Sequence, residues 1–255
     1  MTERGRLLVV GVGPGHRDLL TPQAIQAIRS AEVVIGYAGY FAWVEDLVQG
    51  KECVAFALGQ EKERARAALQ HASEGRQVAV ISSGDPGIYA MASLVLEMLA
   101  TVEPNARPEF VVMPGVSALN AAAALLGAPL GHDFAAVSLS DLLTPWEVIE
   151  RRLTAAADAD FVLALFNPKS QRRDWQLARA QEILLAHRPA STPVGIVQNA
   201  FRPLQAIVLC TLEEIDVNEV DMFSIVIIGN SSSRFVDNFM LTPRGYEVVK
   251  AGEKP

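Results

Sequence analysis

Residues 78–89, VAVISSGDPGIY, decide the fold of this chain. The apolar run 78–81 predicts a buried strand, which ends at a group of small residues. Asp85 is typical of a helix N-cap and Pro86 of a first helical turn, and the apolar spacing beyond them predicts a helix over 88–100. A strand that passes through a small-residue turn into a helix is where an open α/β sheet exposes backbone N–H groups to a ligand. The alternative is that Asp85 does no more than cap its helix.

The alternation of strand and helix continues on both sides of this stretch and predicts an α/β fold. Because residues 127–133 are rich in Gly and Pro, we expect two α/β domains, 1–127 with the glycine-rich and GDP turns and 128–255 with a mixed sheet. The sheet is mixed because the strand that begins at residue 206 follows a short connection, which favours antiparallel pairing. The predicted strands are 6–11, 32–35, 52–56, 78–81, 110–113, 135–139, 161–166, 194–198, 206–209 and 225–228, and the predicted helices are 22–29, 61–73, 88–100, 118–126, 146–156 and 174–186.

Composition excludes several classes of protein. Of the 255 residues 50% are hydrophobic and 20% charged, which argues against disorder. No apolar run reaches the roughly 18 residues that a membrane span needs, and the N-terminus lacks the pattern of a signal peptide, so we expect a cytoplasmic protein with no membrane partner. A net charge of −7 disfavours a nucleic-acid partner, because binding to phosphates needs clustered basic residues.

The scattered histidines and cysteines give no metal-ligand spacing, and we predict no metal site. Cys53 and Cys210 lie in apolar, strand-like segments far apart in the sequence. We interpret them as buried thiols and not as a disulfide.

The glycine-rich loop GVGPG at 11–15 differs from a dinucleotide-binding fingerprint. His16 stands where the third glycine is required, Pro14 removes a backbone N–H, and the helix opens only at Pro22. No P-loop is present either, since no Lys followed by Ser or Thr lies in a glycine-rich loop. The loop is therefore either a place where the backbone approaches a ligand closely or a tight turn.

Three polar turns follow predicted strands and carry cations. They are 167–170 with Arg172 and Arg173, 198–202, and 229–233 with Arg234. Lys and Arg are ordinarily solvated surface residues, but turns that follow parallel strands converge at one edge of a sheet. We therefore predict that these cations hold carboxylates of a ligand. No nucleophilic triad or pair of carboxylates indicates covalent hydrolysis.

Taken together, these segments resemble the tetrapyrrole (corrin and porphyrin) methylase family. The resemblance runs from Leu7 to Gly245, nearly the whole chain. The segments that carry it are GVGPG, SSGDPGIY, PGVSA at 114–118, GYAGY at 36–40, the run 114–153, FNPKSQRRDWQL at 166–177 and VDMFSIVIIGN at 220–230.

The resemblance implies two α/β domains with a cofactor cleft between them and, usually, a homodimer. The cofactor would be S-adenosyl-L-methionine, which leaves as S-adenosyl-L-homocysteine. Within the family the chain is most similar to the branch that methylates C17 of a precorrin ring with ring contraction in cobalamin biosynthesis, on a macrocycle with or without cobalt. The motifs assign cofactor binding to Pro14, Gly84, Asp85, Ile88, Ser117, Ala118, Phe166, Asn167, Ala200 and Gly229.

A reduced tetrapyrrole carries acetate and propionate groups, and guanidinium and ammonium groups suit such a polyanion. We assign its carboxylates to Lys169, Arg172, Arg202 and Arg234. Because a sulfonium loses its charge on methyl transfer, we expect Asp85 to orient polar groups or cap its helix, and not to contact sulfur. Ring contraction needs proton transfers, for which Tyr37, Tyr40, His132 and Ser170 are candidates that the sequence does not rank.

Two other functions fit parts of the pattern. A ribosomal-RNA methylase on the same fold would be favoured by a basic face, whereas this chain has a pI of about 5.2. A noncatalytic nucleotide-binding or tetrapyrrole-carrier protein would share the loops without the chemistry, and such a carrier would not bind S-adenosylhomocysteine.

Overall fold

The computed structural model describes residues 4–170 and 173–247 of the chain. The chain separates into two compact units that divide after Ala121. The predicted domain boundary near residue 127 stays a prediction.

The first unit is built on a five-stranded sheet in which every neighbouring pair of strands is parallel. The strand order is β3-β2-β4-β1-β5, so that β4, the predicted strand of the opening stretch, lies at the centre. The strands are β1 (Arg6–Gly11), β2 (Val33–Tyr37), β3 (Glu52–Phe56), β4 (Gln77–Ser82) and β5 (Glu109–Met113), and the helices are α1 (Pro22–Ser30), α2 (Glu45–Val48), α3 (Glu61–Ser73), α4 (Met91–Ala100) and α5 (Ala118–Leu126), which crosses the division between the units.

Helices cover this sheet on both faces, because its strands are apolar on both. In β1, Leu7 and Val9 pack with α3 and α4, whereas Leu8 and Val10 pack with α1 and α2. Since strands buried on both faces belong to parallel sheets with helical crossovers, the unit is a doubly wound α/β structure. The predicted α/β fold is confirmed.

The second unit contains a five-stranded mixed sheet and a small sheet of three short strands. In the larger sheet the order is β10-β9-β11-β8-β7. The elements are β6 (Gly127–Ala128), β7 (Phe134–Ser138), α6 (Trp146–Asp158), β8 (Val162–Phe166), α7 (Gln176–Leu185), β9 (Pro193–Gln198), β10 (Ala206–Thr211), β11 (Ser224–Ile228), β12 (Arg234–Val236) and β13 (Phe239–Leu241). The strand pair β9–β10 is antiparallel, as predicted.

Strand directions in the larger sheet determine which loops share an edge. β7 and β8 are parallel, and β11 is antiparallel to both β8 and β9. β7, β8 and β9 therefore end at one edge, which we call the second carboxyl edge, and β11 ends at the opposite edge. The corresponding edge of the first sheet, where β1 to β5 end, is the first carboxyl edge.

Two predictions about local structure are wrong. The helix predicted from residue 88 begins at Met91, with Ala90 as its N-cap residue and no side chain capping it. Cys53 is exposed and not buried, although both cysteines are free thiols. Cys210 is partly buried, and this burial raises its pKa to about 11. No helix in the described part of the chain is long and apolar enough to cross a membrane.

Candidate active site

The first carboxyl edge is an interlocked set of three glycine-containing loops, which follow β1, β4 and β5. Gly13 and Gly84 form an isolated antiparallel bridge, in which Gly84 N donates to Gly13 O at 2.8 Å and Gly13 N to Gly84 O at 3.2 Å. Both residues have positive φ angles of 67° and 64°. The Gly13 N–H is used inside the protein, so it is not available to a phosphate. The GVGPG loop thus brings backbone close to backbone.

The third loop is held just as tightly. A Cβ atom on Gly115 would lie 2.2 Å from Gly84 O and 2.9 Å from the backbone of Gly11. Thr21 Oγ1, which also caps α1, donates to Pro114 O at 3.2 Å. Side chains are excluded here because the three loops pass within backbone contact distance of one another.

Asp85 joins two of these loops and does not cap a helix, so the N-cap prediction is wrong. Its Oδ1 accepts from Gly87 N at 2.8 Å and its Oδ2 from Gly115 N at 3.1 Å. The physical reason is that Gly115, thirty residues away in sequence, competes successfully for the carboxylate. Asp85 therefore fixes loop geometry.

The other predicted cofactor residues of the first unit lie in the same loops. Pro14 and Ser117 are buried, Ala118 is half-buried, and Ile88 is 39% exposed. Ser117 Oγ accepts from Asn120 N at 3.2 Å, so this serine supports the first turn of α5. The three loops bring together every cofactor residue predicted for this half of the chain.

An aromatic cluster follows β2 at the same edge. The Tyr37 and Tyr40 rings meet edge to face with centroids 5.1 Å apart, and the Trp43 ring lies 5.0 Å from that of Tyr40. Ser83 Oγ donates to the Tyr40 hydroxyl at 2.9 Å. Because Ser83 belongs to the loop of Gly84, the Tyr40 hydroxyl is connected to the predicted cofactor loop, which favours Tyr40 over the other three candidates for proton transfer.

At the second carboxyl edge, the chain leaves two strands through strained turns. Asn167 after β8, and Asn199 and Phe201 after β9, have positive φ angles between 47° and 57°. Asn tolerates this conformation, but an aromatic residue does so only under tertiary constraint. Asn167 Nδ2 donates to Ser138 Oγ at the end of β7, at 2.9 Å. Phe166, Asn167 and Ala200, the predicted cofactor residues, therefore lie at the same edge of the sheet, where β8 and β9 end on either side of β11.

The predicted substrate cations differ in their contacts. Lys169 Nζ donates to Val217 O at 3.0 Å, and the Arg202 guanidinium lies 6.0 Å from the centre of the Phe223 ring. Arg172 lies outside the described residues. Ser170 exchanges two backbone hydrogen bonds with Arg173.

Arg173 is a further candidate substrate ligand, which the sequence analysis named among the cations of this turn but did not assign to the macrocycle. Its Nη1 donates to Ser140 Oγ at 2.7 Å, while its Nε is buried without a hydrogen-bond partner. Burial lowers the pKa of this guanidinium and nearby Asp141 opposes that change, yet no carboxylate of residues 4–170 or 173–247 forms an ion pair with it. In sequence, nothing separates Arg173 from Arg172 beside it.

Three predicted site residues lie elsewhere, and the expected convergence of three polar turns is wrong. Gly229 follows β11 at the opposite edge, where its N–H donates to Pro193 O and its carbonyl accepts from Arg188. His132 precedes β7, also away from the second carboxyl edge, and its Nδ1 accepts from Asp133 N. Arg234 begins β12 in the separate three-stranded sheet. The physical reason is strand direction: β11 is antiparallel to β8 and β9.

No group of three or more His, Cys, Asp or Glu in the described ranges could hold a metal ion. What the two carboxyl edges offer is backbone groups, small side chains and cations held by hydroxyl, carbonyl or aromatic groups. Such surfaces suit a nucleoside and a polyanion, and they lack a nucleophile–base pair.

Comparisons with known proteins agree with this chemistry. The model of the Tetrapyrrole (Corrin/Porphyrin) Methylases matches residues 6–216. The chain is 47% identical to a probable cobalt-factor III C(17)-methyltransferase of Salmonella typhimurium, over 94% of this chain and 99% of that protein. It is 43% identical to a precorrin-3B C(17)-methyltransferase of Sinorhizobium sp., over 95% of this chain and 97% of that protein. It spans only 46% to 56% of the length of several other curated relatives.

Solved structures give the same result. The crystal structure of the methyltransferase CobJ matches with a TM-score of 0.89 and 40% identity, over 94% of this chain and 100% of that one. A uroporphyrin-III C-methyltransferase of Thermus thermophilus in complex with S-adenosylhomocysteine matches with a TM-score of 0.67 and 27% identity. The match covers 88% of this chain and 92% of that one. The predicted family is confirmed: the chain belongs to the tetrapyrrole (corrin/porphyrin) methylases.

Proposed function

We propose that this protein transfers a methyl group from S-adenosylmethionine to C17 of a precorrin-type macrocycle, with ring contraction, in cobalamin biosynthesis. The observation that carries this proposal is the identity of 47% and 43% to two C(17)-methyltransferases over nearly the full length of each. The donor supplies an activated methyl group whose bond to sulfur breaks as the new carbon–carbon bond forms. The protein has to align the two carbons and exclude water.

The first carboxyl edge supports a role in donor binding. Both oxygens of Asp85 accept hydrogen bonds from glycine N–H groups, so the carboxylate shapes the loop and is not directed at a sulfonium. An anion pressed against sulfur would stabilise the ground state more than the transition state. We propose the predicted contacts, Pro14, Gly84, Asp85, Ile88, Ser117, Ala118, Phe166, Asn167 and Ala200, as the donor site, and leave out Gly229.

The second carboxyl edge supports a role in holding the acidic side chains of the macrocycle. The Arg173 guanidinium has a partnerless Nε and donates to the Ser140 hydroxyl, and no carboxylate of the described residues forms an ion pair with it, so a substrate carboxylate would suit it. We add Arg173 to Lys169, Arg172 and Arg202 as substrate ligands. Tyr40 is the proposed proton donor during ring contraction, because its hydroxyl accepts from Ser83 and keeps its own proton to donate.

The names of the relatives indicate two alternative substrates for this protein, cobalt-factor III and precorrin-3B. Nothing that the structure describes at the two carboxyl edges discriminates a macrocycle with cobalt from one without it. The purified protein should be incubated separately with each macrocycle and with S-adenosylmethionine labelled in its methyl group. We expect the label at C17 of one macrocycle and S-adenosylhomocysteine in equal amount. Unmodified macrocycles in both reactions would reject the proposal.

We also propose that the protein is a cytoplasmic homodimer, as the family resemblance implies. Light scattering coupled to size exclusion tests the dimer directly, because a single chain has a mass of 27.5 kDa. A mass that stays at this value across micromolar concentrations would contradict it. Fractionation of the source cells tests the compartment, and activity in the membrane fraction would contradict it.

A further inference from the structure

Arg64, in the first turn of α3, is a buried cation with few partners. Only 3% of the residue is exposed. Its Nη2 donates to Ala57 O at 3.3 Å, its Nη1 contacts Met91 Sδ at 3.6 Å, and its Nε is buried without a partner. Among the residues that the structure describes, none forms an ion pair with it. A buried charge is costly unless it is paired, so this guanidinium lacks an anion.

Another buried arginine shows how far backbone carbonyls can satisfy a guanidinium. Arg188, which is 7% exposed and whose Nε also lacks a partner, donates through Nη1 and Nη2 to the carbonyl oxygens of Gly229, Phe161 and Ala156. Arg64 has one carbonyl, at 3.3 Å, and a thioether, which is a weak acceptor. Carbonyl contacts therefore account for the burial of Arg188 but not for that of Arg64.

Met91, which the Arg64 guanidinium contacts, is the first residue of α4. This helix has ten residues, no acidic residue in its first turn and no side chain that caps it. The guanidinium thus contacts the side chain of the residue that begins this helix, and no carboxylate of the described residues pairs with the guanidinium or caps the helix. Of the N–H groups in the first turn, that of Ala92 already donates to Pro86 O at 2.8 Å. The preceding residues Gly87, Ile88 and Tyr89 are exposed, and Tyr89 has a strained φ of 50°. A ligand can approach α4 from this side.

The acidic groups nearest in sequence are engaged elsewhere. Glu61 Oε1 accepts from Gly59 N at 3.2 Å, Glu63 is exposed, and both oxygens of Asp85 are bound to glycine N–H groups. The place between α3 and the start of α4 therefore keeps a net positive potential at the first carboxyl edge, where β3 and β4 end.

We propose that Arg64 and the N-terminal turn of α4 form a carboxylate-binding subsite. This inference rests on the proposed function, which supplies two sources of a carboxylate: the amino-acid end of the methyl donor, or an acetate or propionate group of the macrocycle. In either case the carboxylate accepts from the guanidinium and from N–H groups in the first turn of the helix.

The test compares Arg64→Gln with wild type in three titrations: of S-adenosylhomocysteine, with its decarboxylated form as a reference, of the macrocycle, and of glutarate. If the donor supplies the carboxylate, Arg64→Gln weakens S-adenosylhomocysteine binding by roughly ten- to a hundredfold, as expected for a lost hydrogen bond to a charge, and leaves binding of decarboxylated S-adenosylhomocysteine unchanged. If the macrocycle supplies it, S-adenosylhomocysteine binds as before and the KM for the macrocycle rises by roughly the same factor. Glutarate, a free dicarboxylate, raises the thermal midpoint of wild type more than that of Arg64→Gln in both cases.

Arg66→Gln is the matched control, because Arg66 lies on the same helix and is exposed. We expect it to match wild type in all three titrations. Should Arg64→Gln fail to fold, Arg64→Lys keeps the charge, and glutarate titrated into wild-type protein must shift the amide resonances of Met91 and Ser93.

Equal affinities for all three ligands in wild type and a folded Arg64→Gln, or amide resonances of α4 that glutarate leaves in place, would overturn the subsite. Failure of the proposed function has a different signature. Wild type would then bind neither S-adenosylhomocysteine nor the macrocycle, while the glutarate measurements would still report on Arg64 directly.

Discussion

The two carboxyl edges of this protein differ in the groups that hold their loops in place. At the first, three loops are locked by backbone groups: Gly13 and Gly84 exchange hydrogen bonds, and Gly115 lies where any side chain would collide. At the second, side chains hold the turns, as Asn167 holds Ser138 and Arg173 holds Ser140. Positive φ angles at this second edge fall on Asn, Phe and Leu and not on Gly.

This difference separates two ways of preparing a binding surface. Backbone packing leaves little room for variation, because each glycine is required by a neighbouring backbone atom. A surface fixed by side-chain hydrogen bonds keeps cations such as Arg173 available for a substrate and depends on their charge and partners. We therefore expect glycine substitutions to damage the first edge most, and polar substitutions to change the second edge with little loss of stability.

The largest effect is expected for Gly115→Ala. The added Cβ would lie 2.2 Å from Gly84 O, a backbone atom that cannot move without breaking the Gly13 bridge. Overpacking of this kind costs about 3 kcal/mol. Urea unfolding monitored by circular dichroism measures the loss.

Gly59→Ala is the control for a glycine substitution without a steric collision; unlike Gly59, Gly115 is not among the glycines with a positive φ angle. Gly59 has a φ of 83°, and a methyl group added there would meet nothing within 4 Å, so its substitution costs only the left-handed strain, about 1 kcal/mol. Equal losses for the two variants would show that the three loops tolerate a methyl group and are not locked.

A smaller loss is expected for Asp85→Ala. Removing the carboxylate leaves Gly87 N and Gly115 N without their acceptor, which costs about 2 kcal/mol. Asp85→Asn keeps one oxygen and should recover part of the loss. Unfolding and calorimetric binding of S-adenosylhomocysteine are measured on the same samples, and we expect both to weaken together. An Asp85→Ala variant as stable as wild type would mean that other groups hold the loops.

These residues also show why the sequence predicted elements well and connections poorly. The apolar pattern of 61–73 predicted α3 with the bounds that the structure gives it, because periodic burial is a local property. Asp85 was assigned to a helix cap because its sequence neighbours favour one, whereas its second partner, Gly115, lies thirty residues away. The two-residue strand β6 and the short strands β12 and β13 carry too few residues to show any period.

The site was predictable to the extent that it depends on turns that follow parallel strands. Loops after β1, β4 and β5 meet because those strands are parallel neighbours. The direction of β11 depends on pairing with strands that end well before it in the sequence, so Gly229 was placed at the wrong edge. Neither periodicity nor composition distinguishes Arg173 from Arg172 in the sequence.

At the second edge, Arg173→Gln should impair substrate binding without unfolding the protein. Loss of one charge-assisted contact raises the KM for the macrocycle by about tenfold and leaves the affinity for S-adenosylhomocysteine unchanged. Steady-state kinetics and calorimetry measure the two. Arg151→Gln, an exposed arginine on α6, is the matched control. If both variants raise KM equally, the general charge of the surface and not the position of Arg173 binds the substrate.

The smallest expected effect is a pH-dependent contribution of Glu150 to stability, which also tests the difference between the two edges. Glu150 accepts from Arg179 Nε at 2.7 Å and from Trp146 Nε1 at 2.9 Å, and so connects α6 to α7 beside the second edge. The hydrogen bond from Arg179, with that from Trp146, lowers the pKa of this carboxyl.

A carboxyl whose pKa is lower in the folded protein stabilises it above the ordinary pKa, and this contribution disappears as the pH falls through the lowered value. Wild type should therefore be slightly more stable than Glu150→Gln near pH 7, and the difference should decrease as the pH falls through the lowered pKa of Glu150. Urea unfolding over a pH series measures it, with Glu147→Gln, an exposed residue of the same helix, as the control. Gly115→Ala acts through a collision between a methyl group and a carbonyl oxygen, neither of which titrates, so the difference between wild type and this variant should show no such pH dependence. If it does, the Asp85 carboxylate that accepts from Gly115 N carries the loss, and the contrast between the two edges fails.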